Sequence, residues 1–178
     1  MRTVAIALAL AALATPILAT GARAEVTDKS AAGFEVVEKA TIAASAPKVW
    51  DALMHPAKWW SSQHSWSGDA KNLHFEPDGC FCETLKKGAV RHMMIIYNDG
   101  GTTLRLNGGL GPMQMTGASG NLGFVLKETA GKTALVATYD VGGYARGGLA
   151  ETLAGPVDFV LGEQVKRLAK YVETGKPD

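Results

Sequence analysis

Residues 156–173 read PVDFVLGEQVKRLAKYVE, the clearest helical pattern in the chain. Apolar residues recur there, from Val157 to Leu168, with the three- and four-residue spacing of one helical face, and charged residues lie between them. Pro156 suits the first turn of a helix, where a missing N–H loses no hydrogen bond, and Gly175 suits its end. Because a lone amphipathic helix of this length is only marginally stable in water, its apolar face requires a packing partner.

The preceding residues, 34–144, predict a β-sheet that covers this helix. A strand is expected at residues 34–43, and a short helix is expected to begin after Ser45, a residue type favoured at the N-cap. Strand-forming patterns, separated by turn residues and by two glycine-rich loops, then follow at residues 73–75, 79–86, 89–98, 102–107, 120–128 and 132–141. This order predicts an α+β fold in which a curved antiparallel sheet of about six to seven strands wraps around the C-terminal helix.

Residues 1–24 have the composition of a secretory signal peptide. Arg2 is a short positive region, residues 4–13 are an apolar run, and the A-x-A sequence at residues 22–24 predicts cleavage after Ala24. The apolar run is too short for a membrane span, so no stable membrane segment is expected after cleavage. The mature protein is therefore predicted to be periplasmic or secreted.

The mature chain is expected to form one domain. Residues 25–33 are polar and predict a flexible N-terminal arm, and the domain itself is expected over residues 34–174. The whole chain has 18 basic and 17 acidic residues, and the leader removes Arg2 and Arg23, so the mature chain is close to neutral. This balance excludes the strongly basic surface of a nucleic-acid-binding protein.

Three segments of the chain resemble the START-like (SRPBCC, Bet v 1-like) helix-grip superfamily, which includes polyketide cyclases, plant pathogenesis-related proteins and activators of the Hsp90 ATPase. The segments are ATIAASAPKVWDALMHPAKWW at residues 40–60, HSWSGDAKNLHFEPDGCFCE at residues 64–83, and GGYARGGLAETLAGPVDFVLGEQVKRLAKYVE at residues 142–173. The resemblance implies a helix-grip fold with a cavity for a small hydrophobic molecule, such as a lipid or a polyketide-like ring. Catalysis occurs only in some branches of the superfamily, and no catalytic motif of those branches is present here.

Apolar and aromatic residues are expected to line the cavity between the sheet and the C-terminal helix. The predicted ligand-binding and lining residues are Trp50, Leu53, Trp59, Trp60, His64, Trp66, Met94, Ile96, Leu104, Arg105, Leu106, Met113, Phe124, Phe159 and Leu168. The tryptophans within residues 59–66 suit either a lid over the cavity or a plug of packed core, since Trp has a large apolar face and one N–H donor. Arg105 is either an anchor for a polar ligand group or a solvent-facing residue, and Glu83 is expected to face solvent, as is usual for a charge within a strand.

Cys80 and Cys82 are two residues apart on a predicted strand and therefore share one face of the sheet. Their side chains are expected to be poorly oriented for a disulfide. Together with His92, and with His74 or His64 nearby, two thiolates would offer a soft metal site, although C-x-C is a weak motif. The alternative, which is favoured, is two small apolar residues packed beneath the helix.

The sequence predicts a periplasmic protein that binds or carries a small hydrophobic molecule. One alternative is an enzyme of the cyclase or hydratase kind that uses His64 or His92 as a proton shuttle near neutral pH. Another is a protein-interaction module, as among the Hsp90 activators, although export argues against that partner because those chaperones work in the cytosol. No cofactor is predicted, because the glycine-rich loops lack a Lys-Ser/Thr pair at a helix start and Leu126 replaces the first glycine of the stretch that ends in GKT. The two loops, at residues 108–112 and 142–148, are instead expected at the mouth of the cavity, where glycine allows a positive φ.

Overall fold

The computed structural model describes residues 23–76 and 79–178. Its strands are β1 (Arg23–Ser30), β2 (Gly33–Ile42), β3 (Leu73–Phe75), β4 (Cys80–Thr84), β5 (Ala89–Asn98), β6 (Thr103–Gly108), β7 (Gly117–Thr129) and β8 (Lys132–Tyr144). They form one eight-stranded antiparallel sheet in the order β1-β2-β8-β7-β6-β5-β4-β3. The predicted α+β fold with a curved antiparallel sheet is confirmed, and the sheet has more strands than the six to seven expected.

The additional strand is the N-terminal segment. Residues 25–33, predicted to be a flexible arm, belong to β1, to the two-residue turn after it and to the first residue of β2. The pairing runs from Arg23 opposite Lys39 to Ser30 opposite Gly33, with one irregularity along β1. An edge strand has one neighbouring strand and keeps many polar side chains in water. Apolar and polar residues therefore alternate only weakly along it, and the sequence pattern does not predict it. The predicted signal peptide lies outside the described residues, apart from Arg23 and Ala24.

Within the described part of the chain, two α-helices accompany the sheet. The helix α1 (Ala46–Leu53) begins after Ser45, as predicted. The helix α2 (Leu149–Thr174) is longer than predicted and contains Pro156 in its interior instead of in its first turn. Three buried side chains upstream of this proline hold the extra turns against the protein despite the lost hydrogen bond: Leu149, Ala150 and Ala154. Gly175 ends the helix as predicted, with a φ of 79° and its N–H donating to the Tyr171 carbonyl at 2.8 Å.

The hydrophobic core lies between α2 and the face of the sheet turned towards it. The helix α2 makes its most extensive contacts with β2 and then with β1. Side chains from the sheet and from the second half of α2 form this core, including Val36, Ile42, Leu135, Ala137, Tyr139, Leu161, Val165, Leu168 and Val172. Among the described residues, no helix combines the length and apolar character required to cross a bilayer.

Two register shifts in β5 determine which of its side chains face the helix. In the pairing of β5 with β4, His92 has no partner residue, and in the pairing of β5 with β6, Ile96 has none. A bulge of this kind reverses the alternation of a strand, so His92 and Met93 are both buried, whereas Met94 and Ile96 are 38% and 56% exposed. The prediction that Met94 and Ile96 line the cavity is therefore wrong.

Candidate ligand-binding cavity

A cavity of about 340 Å³ lies beside the first half of α2, near the edge of the sheet formed by β3, β4 and β5. Its wall is mainly apolar, and the residues that form it are Trp60, Gln63, His64, Ser65, Trp66, Leu73, Phe81, His92, Leu110, Gly111, Pro112, Met113, Leu153, Pro156, Val157, Val160 and Leu161. A concave, mostly apolar space with a few polar groups is the usual form of a small-molecule site.

Only part of the predicted lining reaches this cavity: Trp60, His64, Trp66 and Met113. Other predicted residues belong to the packed core, namely Leu53, Trp59, Leu104, Leu106, Phe124 and Leu168, and the partly buried Trp50 packs against that core. Arg105 is exposed and its guanidinium lies 4.9 Å from the centre of the Tyr97 ring, while Phe159 is 68% exposed. Strand and helix periodicity identifies the inward face of an element, but it does not tell whether that face meets another element or a cavity.

The aromatic segment (residues 59–67) forms one side of the wall and is joined to α2 by hydrogen bonds. The Ser61 backbone N–H donates to Oε1 of Gln164 at 2.8 Å, and Nε2 of His64 lies 2.9 Å from Oε2 of Glu163. The indole of Trp60 donates to the His64 carbonyl at 2.9 Å. The segment thus combines both predicted roles, since Trp59 is packed in the core while Trp60 and Trp66 line the cavity.

Glu83, predicted to face solvent, is fully buried beside this cavity. Its carboxylate accepts hydrogen bonds from the backbone N–H groups of Trp66 and Ser67 and lies 3.0 Å from Nε2 of His92. Burial raises the pKa of Glu83, but the hydrogen bonds outweigh burial and hold the pKa below its ordinary value. The carboxylate is therefore ionised at neutral pH. The sequence feature that indicates this burial is the two-residue spacing from Phe81, because residues two apart on β4 share one face of the sheet.

His92 presents its imidazole to the cavity and is 5% exposed. Burial lowers the pKa of His92, and the hydrogen bond and charge of Glu83 counter that effect only in part. The ring is therefore neutral at neutral pH. Its centroid lies 5.0 Å from that of Phe81, and its Nδ1 has a long contact of 3.4 Å with Nε2 of Gln114. This arrangement is a buried, oriented base at the wall of an apolar cavity.

Cys80 and Cys82 form a disulfide, so the prediction of poor orientation is wrong. Their two Cα atoms lie 5.4 Å apart, within the range that a disulfide spans. The adjacent Phe81 faces the cavity, so the disulfide lies on the opposite face of β4 from the cavity and from His92. The thiolate metal site is therefore not formed, and both side chains are buried, as the favoured alternative predicts, but they are bonded to each other.

The other candidate metal ligands are also dispersed. His74 lies on β3, where its Nδ1 contacts the Asn72 carbonyl at 3.2 Å, and His64 is paired with Glu163. Within residues 23–76 and 79–178, no three side chains of His, Cys, Asp or Glu come together in an arrangement that could hold a metal ion.

The turn at residues 110–113 lines the cavity, in agreement with the predicted place of the glycine-rich loop at its mouth, whereas the wall formed by α2 is not predicted. Val157, Val160 and Leu161 were recognised as part of an apolar helical face, but they were assigned to packing. The turn carries Leu110, Gly111 and Pro112 and has no regular periodicity. Its position follows from Tyr139, whose hydroxyl donates to the Gly108 carbonyl at 2.9 Å and holds this connection near the core.

No family model matches the chain, and no curated protein matches it in sequence. Among solved structures, it is similar to the conserved protein of unknown function EF2215 from Enterococcus faecalis, with a TM-score of 0.60 and 17% identity over 88% of this chain and 80% of that one. It is similar to Aha1 from Colwellia psychrerythraea, with a TM-score of 0.54 and 15% identity over 80% of this chain and 98% of that one. It is also similar to StfQ, a di-domain ARO/CYC from the steffimycin biosynthetic pathway, with a TM-score of 0.53 and 15% identity over 82% of this chain and 52% of that one. The chain has the helix-grip fold, as the resemblance of its sequence predicted.

Proposed function

We propose that this protein binds and carries a small, largely apolar molecule in the cavity beside α2. The observation that supports the proposal is the cavity itself, a space of about 340 Å³ with a mainly aromatic and aliphatic wall. An apolar molecule that leaves water for such a wall gains roughly 25 cal/mol for each Å² of surface buried. The volume lies near the lower end of small-molecule sites, which favours a compact ring system over a lipid with two acyl chains.

We further propose that the carrier works in the periplasm or outside the cell. The sequence of residues 1–24 supports this location, because it combines a positive start, an apolar run and an A-x-A cleavage sequence. The Cys80–Cys82 disulfide is a second source of support, since disulfides persist in oxidising compartments and are rare in the cytosol. Mass spectrometry of the protein from a periplasmic extract should give a mature N-terminus at Glu25. Recovery of the intact chain in the cytosol would contradict this location.

Binding is tested by thermal unfolding of the mature protein with a panel of two-ring aromatic compounds. A ligand that binds only the folded state raises the melting temperature with its concentration. Val160 lines the cavity, so Val160→Phe should abolish the shift by filling the space. The neighbouring Phe159 is 68% exposed, so Phe159→Leu is the matched control and should keep the shift. No shift with any compound, or an equal shift in Val160→Phe, would overturn the proposed binding function.

Two alternatives from the sequence stay predictions. His64 and His92 both line the cavity, so an enzyme of the cyclase or hydratase kind would have its candidate groups beside a bound molecule. The protein-interaction alternative rests on the likeness to Aha1, and at 15% identity that likeness supports the fold alone. The cavity favours a small-molecule function over a protein-interaction module.

A further inference from the structure

We infer that His92, oriented by Glu83, accepts a hydrogen bond from a neutral hydroxyl group of the bound molecule. The ligand class is therefore an apolar compound that bears an alcohol or phenol hydroxyl. This inference rests on the proposed binding function and narrows it to one polar group at one place in the wall.

The first step is the position of the proton on the imidazole. Glu83 is ionised and only accepts, so the 3.0 Å contact with Nε2 of His92 requires the proton on Nε2. The carboxylate is itself held by the N–H groups of Trp66 and Ser67, which fixes its direction. A neutral imidazole has one N–H, so Nδ1 of His92 is unprotonated and acts as a hydrogen-bond acceptor.

The second step is the weak contact that Nδ1 makes in the protein. Nε2 of Gln114 lies 3.4 Å from Nδ1 of His92 and 3.4 Å from the carbonyl of Arg91, and both distances are at the outer limit of hydrogen bonding. Gln114 is exposed and belongs to the short helical turn Gly111–Met115, and residues 111–113 of this turn form the adjacent cavity wall. A ligand hydroxyl at this wall can replace the Gln114 contact with a shorter hydrogen bond.

The third step is the charge of the surroundings. Among the described residues, those that line the cavity include no Lys or Arg, and the anionic Glu83 lies within hydrogen-bond distance of His92. A carboxylate ligand would meet this negative charge and would need His92 to take up a proton, which its burial opposes. An ammonium ligand would bring an unpaired charge against an apolar wall. A neutral hydroxyl satisfies the acceptor without either difficulty.

The inference is tested with compounds of equal ring size that differ in one group. The probes are 2-naphthol, decahydro-2-naphthol, 2-methoxynaphthalene and 2-naphthoate, and their affinities for the mature protein are measured by calorimetry at pH 7. We expect 2-naphthol to bind at least about ten-fold more tightly than its methyl ether, because a buried acceptor discriminates against a molecule that lacks the donor. Decahydro-2-naphthol reports whether an aliphatic alcohol serves as well as a phenol.

Three variants separate hydrogen bonding from folding. In His92→Phe the affinities for 2-naphthol and 2-methoxynaphthalene should become equal, while the ether still binds because the cavity persists. His92→Gln keeps a side-chain acceptor and should restore part of the preference, which also covers the case in which His92→Phe does not fold. His74→Phe, on a half-exposed side chain outside the cavity wall, should bind all probes as the wild type does.

The outcomes distinguish this inference from the proposed function. If the ether or the naphthoate binds the wild type as tightly as 2-naphthol, the hydroxyl inference is overturned and the binding function stands. If the preference for 2-naphthol survives in His92→Phe, another residue is the acceptor and the inference is overturned. If none of the four probes binds the wild type, the binding function fails and the inference fails with it.

Discussion

Glu38 and Glu83 are both fully buried, but the surroundings of their carboxyl groups differ. Glu83 has hydrogen-bond donors on two sides, whereas the Glu38 carboxyl meets no donor group among the described residues and faces the carboxyl of Asp158 instead. Burial, and then the negative charge of Asp158 on α2, raise the pKa of Glu38 to about 7, while Lys166 lowers it in part. Glu38 is therefore a buried acid that opposes the docking of α2 on β2 when it ionises.

We expect Glu38→Gln to stabilise the protein at high pH. The pKa of Glu38 rises from 4.5 to about 7 on folding, so the folded state binds this proton more tightly than the unfolded state. The resulting contribution to the free energy of unfolding is fully present below pH 4.5 and is lost as the pH rises to about 7. Between pH 4.5 and pH 8, the free energy of unfolding of the wild type should therefore fall by up to roughly 3 kcal/mol relative to that of Glu38→Gln. Urea unfolding at both pH values measures this difference. Glu76→Gln, at an exposed side chain, is the control, and an equal effect of pH on both variants would contradict the expectation.

The strand β7 contains two glycines in different surroundings. A Cβ on Gly120 would lie 2.2 Å from the Asp140 carbonyl oxygen and 2.7 Å from the Tyr139 ring, whereas no atom lies within 4 Å of a Cβ on Gly123. The missing side chain at Gly120 lets the Tyr139 ring pass beneath β7, where its hydroxyl reaches Gly108. This glycine thus supports the connection that leads into the cavity wall.

We expect Gly120→Ala to destabilise the protein by about 2–4 kcal/mol, because the added methyl group collides with backbone and with a packed ring. Gly123→Ala lies on the same strand with open space around it and should change stability by less than about 1 kcal/mol. The free energies of unfolding in urea provide the comparison. Equal losses of stability in the two variants would show that the short distances from Gly120 to Asp140 and Tyr139 are not the cause of the destabilisation.

The wall of the cavity depends on contacts between parts of the chain that are far apart in sequence. Ser61 pairs with Gln164, His64 pairs with Glu163, and Nε of Arg167 donates to the Trp59 carbonyl at 2.9 Å. All three contacts join the aromatic segment to α2. The shape of the cavity is therefore a property of the folded molecule as a whole and not of either segment.

We expect Gln164→Leu to loosen the aromatic segment. Gln164 is buried, and the substitution removes the acceptor of the Ser61 N–H at similar side-chain volume. An unpaired buried donor costs about 1–3 kcal/mol, so amide hydrogen exchange over residues 59–67 should accelerate roughly ten-fold or more. Exchange in β7 and β8 should stay unchanged. Lys170→Ala, at an exposed position of the same helix, is the control, and equal acceleration in that variant would contradict the role of Gln164.

Local patterns in the amino-acid order predicted the elements well. The strands at residues 73–75 and 89–98 have the predicted bounds, and α1 begins after Ser45. These features depend on the spacing of apolar residues and on capping, which act over a few residues. The start of α2 was predicted too late, because burial of the turns before Pro156 overrides the local signal of the proline.

The amino-acid order was therefore sufficient for the α+β fold, the helix-grip resemblance and most of the element bounds. Tertiary packing was needed for the bulges of β5, which turn Met94 and Ile96 outwards and His92 inwards, and for the contact of His92 with Glu83. Strand alternation depends on neighbours two residues apart, whereas bulges, buried hydrogen bonds and cavities depend on residues that meet only when distant strands and α2 pack together.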